Sequence, residues 1–256
     1  MVKTAKKAAA RKAAKPARKP AAKAQARTGA KVKAKPPART ATFSPRERQR
    51  FTLHGNALSG PSYTVALMLS LCRHPYSYIH VNLREGQHKQ PDYLVKNRYG
   101  QVPALRDGHA FVVQSAAIIT YLADELGKFG AKQPLETQRI REWLFWSWDK
   151  LATPLYRLRA RNRGIRQFGE EVRLMYDTEA RAALAMLEQE LVKSDWIAGK
   201  RPTIADIGIY AAVRYAPEAH VDLAPYPRLT AWKQRVEGLP GFAPPEELLP
   251  LESRLI

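Results

Sequence analysis

The chain has 256 residues and a formal net charge of +20, from 43 Lys and Arg against 23 Asp and Glu. That length can hold two domains; no run of about 18 apolar residues is present to cross a membrane. Its one cysteine, Cys72, excludes a disulfide framework and suits a reducing, cytoplasmic compartment.

The charge is unevenly spread. Residues 1–40 hold 14 Lys and Arg and no acid, which leaves 29 basic against 23 acidic residues in the remainder. Over residues 1–42 the chain is almost entirely Ala, Lys, Arg and Pro, with too little apolar surface to offset the entropy of ordering, so a disordered tail is predicted there. Such a tail suits non-specific contact with nucleic-acid phosphates. If half of its cations met phosphates, affinity would fall by ~10³–10⁵ between about 50 and 200 mM salt. An inert tail and a targeting segment are the alternatives, and a secretory signal is excluded because no apolar stretch follows the charges. The composition resembles the Lys/Ala/Pro-rich tails of linker histones and their bacterial counterparts.

From Arg50 onward, short β-like runs alternate with helical stripes. Arg50–His54 reads as a strand and Gly55–Gly60 as a turn-rich loop. A helix follows, with Pro61 in its first turn and Val65, Met68, Leu69 and Cys72 on one face. Tyr78–Leu83 reads as a second strand, and a loop with Gly86, His88 and Pro91 leads to a short helix near Asp92–Lys96. Val102–Leu105 and Phe111–Val113 flank Asp107-Gly108, a hairpin signal. The next helix starts at Ser115, carries Ile119, Leu122, Ala123 and Leu126 on one face, and stops at Gly127. This order predicts an α/β domain of thioredoxin-like arrangement over residues 49–130.

Beyond Pro134 the β signals cease and an all-α domain over 135–245 is predicted. Thr137–Arg161 reads as one long helix, with a stripe at Ile140, Trp143, Leu144, Ser147 and Leu151. Glu170–Leu191 and Arg228–Glu237 read as two more. Between them Thr203-Ile204-Ala205-Asp206 starts a helix as a capping box, the threonine hydroxyl and the aspartate carboxylate each taking an orphan N–H of the other's residue.

The stretch Gln101-Val102-Pro103-Ala104-Leu105 stands out, because a proline cannot donate to a sheet ladder and is confined to strand starts, edges and bulges. A cis peptide there would turn neighbouring N–H and C=O groups toward a ligand. Gln114-Ser115 sits where a strand becomes a helix, and helix N-termini attract anions. Together these predict a site for a small molecule bearing amide and carboxylate groups. No HExxH or other paired metal spacing is present, and no CxxC.

The stretches LHGNALSGPSYTV, GQH, NRYGQVPALRDG, VVQSAAIITYLADEL and GKRPTIADIGIYA, in that order, make the body similar to the cytosolic glutathione transferases. The serine after the first strand resembles the theta-like, serine-using branch and its bacterial relatives. This resemblance implies glutathione as co-substrate, a small electrophilic or peroxidic second substrate, and a twofold homodimer. It implies that Ser59 donates a hydrogen bond to the glutathione sulfur. His88 and Gln101 would lie near the glycine end, Val102 would pair its backbone with the cysteinyl unit, and Gln114 and Ser115 would hold the γ-glutamyl group. Pro103 matches the family's cis-proline and Asp206 its capping aspartate. Gln114 stands where glutamate is usual, and Arg98-Tyr99 replaces the commoner Pro-Asn. Read without the resemblance, Ser59 is a helix cap, His88 a loop histidine, Cys72 a buried inert thiol, and Trp146 either core or a wall of the acceptor pocket. A fold-retaining binding protein tethered to nucleic acid by its tail is the alternative to an enzyme.

Overall fold

The computed structural model describes residues 49–256; the 1–42 tail lies outside them. The first lobe begins with β1 (Phe51–Gly55), α1 (Gly60–Leu71) and β2 (Tyr76–His80). A short 3₁₀ turn (Gln87–Lys89) and α2 (Pro91–Leu94) follow, then β3 (Ala104–Asp107), β4 (Ala110–Val113) and α3 (Ser115–Leu126). A final strand, β5 (Arg254–Leu255), returns from the far end of the chain. The sheet order is β4-β3-β1-β2-β5, with β1 and β2 parallel and every other pair antiparallel. Leu53 sits opposite Tyr78 on one side and Leu105 on the other. This is the expected thioredoxin-like lobe.

Strand β1 is buried at every residue because both faces of the sheet are covered. Helices α1 and α3 pack on each other on one face, while Tyr93 of α2 packs with Val81 and Ala104 on the other. Strand β2 begins two residues earlier than the sequence predicts, directly after Pro75, and stops before Asn82, whose carboxamide accepts from the Arg84 and Glu85 N–H groups and bends the chain. Strand β5 was not foreseen, since two residues carry no periodicity. Cys72 is buried and burial pushes its thiol up to about 11, as an inert core group requires.

The second lobe is helical: α4 (Pro134–Trp146), α5 (Thr153–Asn162), α6 (Glu170–Glu190), α7 (Ile204–Val213), α8 (Pro227–Glu237) and α9 (Pro245–Leu248). The single helix predicted over 137–161 is instead two helices joined by a π-helical turn, Ser147–Ala152. Pro154 is the reason. It has no N–H for the carbonyl four residues back and its ring collides with that carbonyl, so the ladder widens locally. The Thr153 hydroxyl donates to the Trp148 carbonyl at 2.7 Å.

The capping box opens α7 as predicted, and Asp206 does more than cap. Its carboxylate accepts from the Thr203 N–H (2.8 Å), the Thr203 hydroxyl (3.1 Å), the Ile197 N–H (2.9 Å) and the Trp232 indole (2.9 Å). The lobes meet along α1, which packs against α7 and α9 as well as α3. Beside it, Gly241 (φ +91°) runs so close that an added Cβ would lie 2.5 Å from the Ser70 carbonyl oxygen, while the Ser70 hydroxyl donates to the Gly241 carbonyl at 2.6 Å. No helix among the described residues is long and apolar enough to cross a membrane.

Candidate active site

A cleft of about 590 Å³ lies between the lobes. All six residues singled out in the sequence line it: Ser59, His88, Gln101, Val102, Gln114 and Ser115, with Pro103 among them.

Ser59 precedes α1 in extended conformation and caps it, its hydroxyl oxygen accepting from the Ser62 N–H at 3.1 Å. The bland reading of this serine is therefore correct as far as it goes. Capping uses an oxygen lone pair and leaves the hydroxyl proton available to the cleft. The next residue, Gly60, is required by packing: a Cβ there would lie 2.5 Å from the Tyr156 ring of α5.

The peptide Val102-Pro103 is cis. Val102 belongs to no strand, and its N–H and C=O enter none of the hydrogen bonds of the adjoining loops. The turn is held from behind by Asn97, 2 % exposed, whose amide donates to the Gln101 carbonyl at 2.7 Å and the Pro103 carbonyl at 3.2 Å. Tyr93 donates to the same Gln101 carbonyl at 2.8 Å. Asn97 was missed in the sequence; a lone asparagine between a short helix and a Gly-Gln-Val-Pro turn gave no sign of being buried.

Gln114 has φ +70°, a left-handed value rare outside glycine. This bend delivers Ser115 to the first turn of α3, facing the cleft. Ser115 is 3 % exposed, and its buried hydroxyl oxygen has no hydrogen-bond partner among the described residues. The same is true of His88 Nδ1, on the 3₁₀ turn that also lines the cleft. Burial, with nearby Lys89, lowers the His88 pKa, so its ring is neutral at pH 7. Buried polar atoms without partners are rare, and each calls for an explanation.

The opposite wall comes from the π turn, α5 and the loop after it. Trp148 and Tyr156 line it; Trp146 does not, and instead stands edge-on to Trp143 with ring centres 5.0 Å apart. Burial raises the Tyr156 pKa well above that of a free phenol, so it stays protonated. Arg157, Arg159, Arg163 and Arg166 complete this wall, and Lys89 adds a fifth cation from the first lobe. Their signal was present in the sequence as five arginines between 157 and 166, yet helical spacing alone did not show which of them faces inward.

Arg159 has a structural task. Buried over the Tyr215 ring at 3.8 Å, it donates to Glu218 at 2.8 Å and to the Leu58 carbonyl, one residue before Ser59, at 2.6 Å. Arg163 donates to the same Glu218 carboxylate at 2.8 Å. Partial burial pushes Glu218 up, but the two arginines hold its carboxyl below the ordinary range.

Comparison with known proteins agrees with this architecture. Residues 50–124 match the glutathione S-transferase N-terminal domain and residues 147–240 the C-terminal domain of the same family. The maleylacetoacetate isomerase of Rhizobium meliloti is 30% identical over 192 residues, covering 72% of this chain and 90% of that protein. The disulfide-bond oxidoreductase YfcG of Escherichia coli is 27% identical over 186 residues, covering 70% and 86%. Among solved structures, a possible glutathione S-transferase from Rhodopseudomonas palustris superposes with a TM-score of 0.72 at 30% identity, over 77% of this chain and 90% of that one. One from Pseudomonas fluorescens gives 0.73 at 28% identity, over 77% and 98%. With both halves matched in order around an interlobe cleft, the chain belongs to the glutathione S-transferase family.

Proposed function

We propose that this protein is a serine-type glutathione transferase, binding glutathione along the α/β wall of its cleft and keeping the bound sulfur ionised through Ser59. The observation that carries this reading is the direction of the Ser59 hydrogen bond: the oxygen accepts from Ser62, so the proton points elsewhere. The residues present suit the tripeptide. The Ser115 hydroxyl and the α3 N-terminus match the γ-glutamyl carboxylate, the Val102 backbone matches the cysteinyl amide, and His88 with Gln101 stands at the glycine end. Gln114 is neutral, so the γ-glutamyl ammonium is met by a carboxamide oxygen.

The energetics are sufficient. A thiol of pKa about 8.5 needs ~2.7 kcal/mol of preference for the anion to fall by ~2 units. One hydrogen bond to a charged group supplies ~1.5–3 kcal/mol and a helix N-terminus ~0.3–1. Ser59, at the start of the twelve-residue α1, provides both. Glutathione supplies the nucleophilic sulfur, which bonds to an electrophilic carbon as a leaving group departs with the displaced pair, or to a peroxide oxygen as the O–O bond breaks. The test is Ser59→Ala. Loss of the ultraviolet thiolate absorbance of bound glutathione at neutral pH, with kcat/KM down ~10–100-fold, is expected; a persisting thiolate removes Ser59 from the role.

The same reading includes a homodimer, supported by Leu135 and Phe145 of α4, which are 82% and 76% exposed; sedimentation measures it. It also includes electrostatic tethering to nucleic acid by residues 1–42, supported by their charge alone. Gel-shift titration of the full chain against a 41–256 variant tests this: equal, salt-insensitive binding of both would refute it.

A further inference from the structure

We propose that the helical wall of the cleft selects a second substrate carrying a small oxyanion, a carboxylate or phosphate, beside its electrophilic centre. This rests on the glutathione reading above and adds to it the class of acceptor.

The five cations that line the cleft are accompanied by no lining Asp or Glu among the described residues. Glu218 reaches two of them, Arg159 and Arg163, and a single carboxylate leaves that pair one charge in excess. Arg159 is further committed to the Leu58 carbonyl and the Tyr215 ring. Lys89 donates to the Gly100 carbonyl at 2.8 Å, which engages its ammonium but does not neutralise it. Arg157 and Arg166 are different. Neither side chain makes a hydrogen bond or ion pair with any described residue; Arg157 is half-buried at the cleft and Arg166 is exposed beside it. Elsewhere the chain pairs half-buried arginines, Arg161 and Arg173 with Glu170 and Arg181 with Asp177, whereas half-buried Arg157 has no such partner among the described residues.

A guanidinium presents a planar fork of donors that matches a carboxylate or phosphate with two parallel hydrogen bonds. A cleft lined by one sign of charge between low-dielectric walls also concentrates the opposite sign within it. Trp148 and Tyr156 on the same wall give a flat apolar surface for the body of the acceptor. The wall therefore offers an aromatic platform with unpaired arginines at its edge, and a neutral hydrophobic acceptor would leave those charges unmet.

Both the wild-type full chain and the double variant Arg157→Gln/Arg166→Gln are to be studied with glutathione saturating. Neither side chain holds the fold together, so the variant is expected to fold. Quenching of the cleft tryptophan by para-nitrobenzoate and by para-nitrophenylphosphonate is compared with quenching by methyl para-nitrobenzoate, which has the same ring and no charge. The expected result is binding of at least one anion about tenfold tighter than the ester in the wild type, with that preference lost in the variant. Turnover of a fluoronitrobenzoate against its methyl ester, each corrected for its uncatalysed rate with glutathione, should show the same ratio and the same loss. Binding of the ester as tightly as both anions, or an anion preference untouched by the substitutions, overturns the proposal. So does a variant whose only defect is weaker calorimetric binding of glutathione, which would assign the arginines to the tripeptide. Failure of the wild type to bind glutathione at all sinks the transferase reading, while the quenching comparison, repeated without glutathione, still decides whether the wall selects anions.

Discussion

The two walls of the cleft are built in opposite ways. The α/β wall works through backbone groups and short neutral side chains: a cis Val102-Pro103 peptide, the first turn of α3, and the hydroxyls of Ser59 and Ser115. The helical wall works through long charged and aromatic side chains on α5 and its flanking turns. Backbone positions in the first wall are pinned by the sheet and by Asn97, so they suit a ligand of fixed shape. Side chains in the second can be exchanged without moving the scaffold, so that wall is free to set specificity.

The difference can be broken most severely from the helical side, by removing the group that holds α7, α8 and the preceding loop together. Asp206→Ala leaves the Ile197 N–H, the Thr203 N–H and the Trp232 indole N–H buried without an acceptor. At ~1–3 kcal/mol for each orphan, a loss of about 4 kcal/mol or more is expected in urea denaturation. Asp206→Asn, which keeps one acceptor oxygen, should lose less; a loss below about 1 kcal/mol for the alanine variant would contradict this account.

The contact between the walls is tested by Gly60→Ala. The added methyl meets the Tyr156 ring at 2.5 Å, and over-packing of this kind costs ~1–3 kcal/mol. In a double-mutant cycle with Tyr156→Ala the two changes should couple strongly, because removing the ring removes the collision. Additive effects would show that the glycine matters for another reason.

Ser115→Ala sharpens the contrast between folding and binding. Its hydroxyl has no partner among the described residues, so stability should stay within about 0.5 kcal/mol of wild type. The calorimetric Kd for glutathione should rise about tenfold, equivalent to ~1.4 kcal/mol. A destabilised variant with unaltered Kd would make the serine structural.

The smallest expected effect is a pH dependence in the α/β lobe. His54 is buried in β1 between Tyr93 and Phe111, and burial, with Lys96 and Arg106 nearby, lowers its pKa from 6.5 to about 3. Because the unfolded chain binds this proton first, stability is full above pH 6.5 and falls as the pH drops from there toward 3. Between pH 7.5 and 5.5 the loss from this residue is about 1 kcal/mol. His54→Asn should flatten the acid limb by that amount, whatever its own stability at neutral pH; an unchanged slope would show that His54 is protonated in the folded state.

Much of the α/β wall was legible because its chemistry is local in sequence. A proline at a strand start, a Gln-Ser step into a helix and a serine before Gly-Pro each dictate backbone geometry within a few residues, and the capping box at Thr203–Asp206 follows the same logic. The π turn was less legible, since its cause, Pro154, lies inside an otherwise helical apolar stripe. Trp148, and not Trp146, lines the cleft; it lies inside the widened turn, where side chains no longer follow α-helical spacing.

Apart from β5 and the π turn, the amino-acid sequence by itself determined the main strands and helices, the order of the two lobes and the α/β half of the cleft, because these depend on periodicity, turn chemistry and capping between near neighbours. Only the tertiary structure decided which arginines face inward, that Glu218 is shared between two of them, and that the Arg157 and Arg166 side chains are left unpaired among the described residues. Charge pairing over 55 and 59 residues of separation has no local signature, since it depends on how helices pack after the chain has folded.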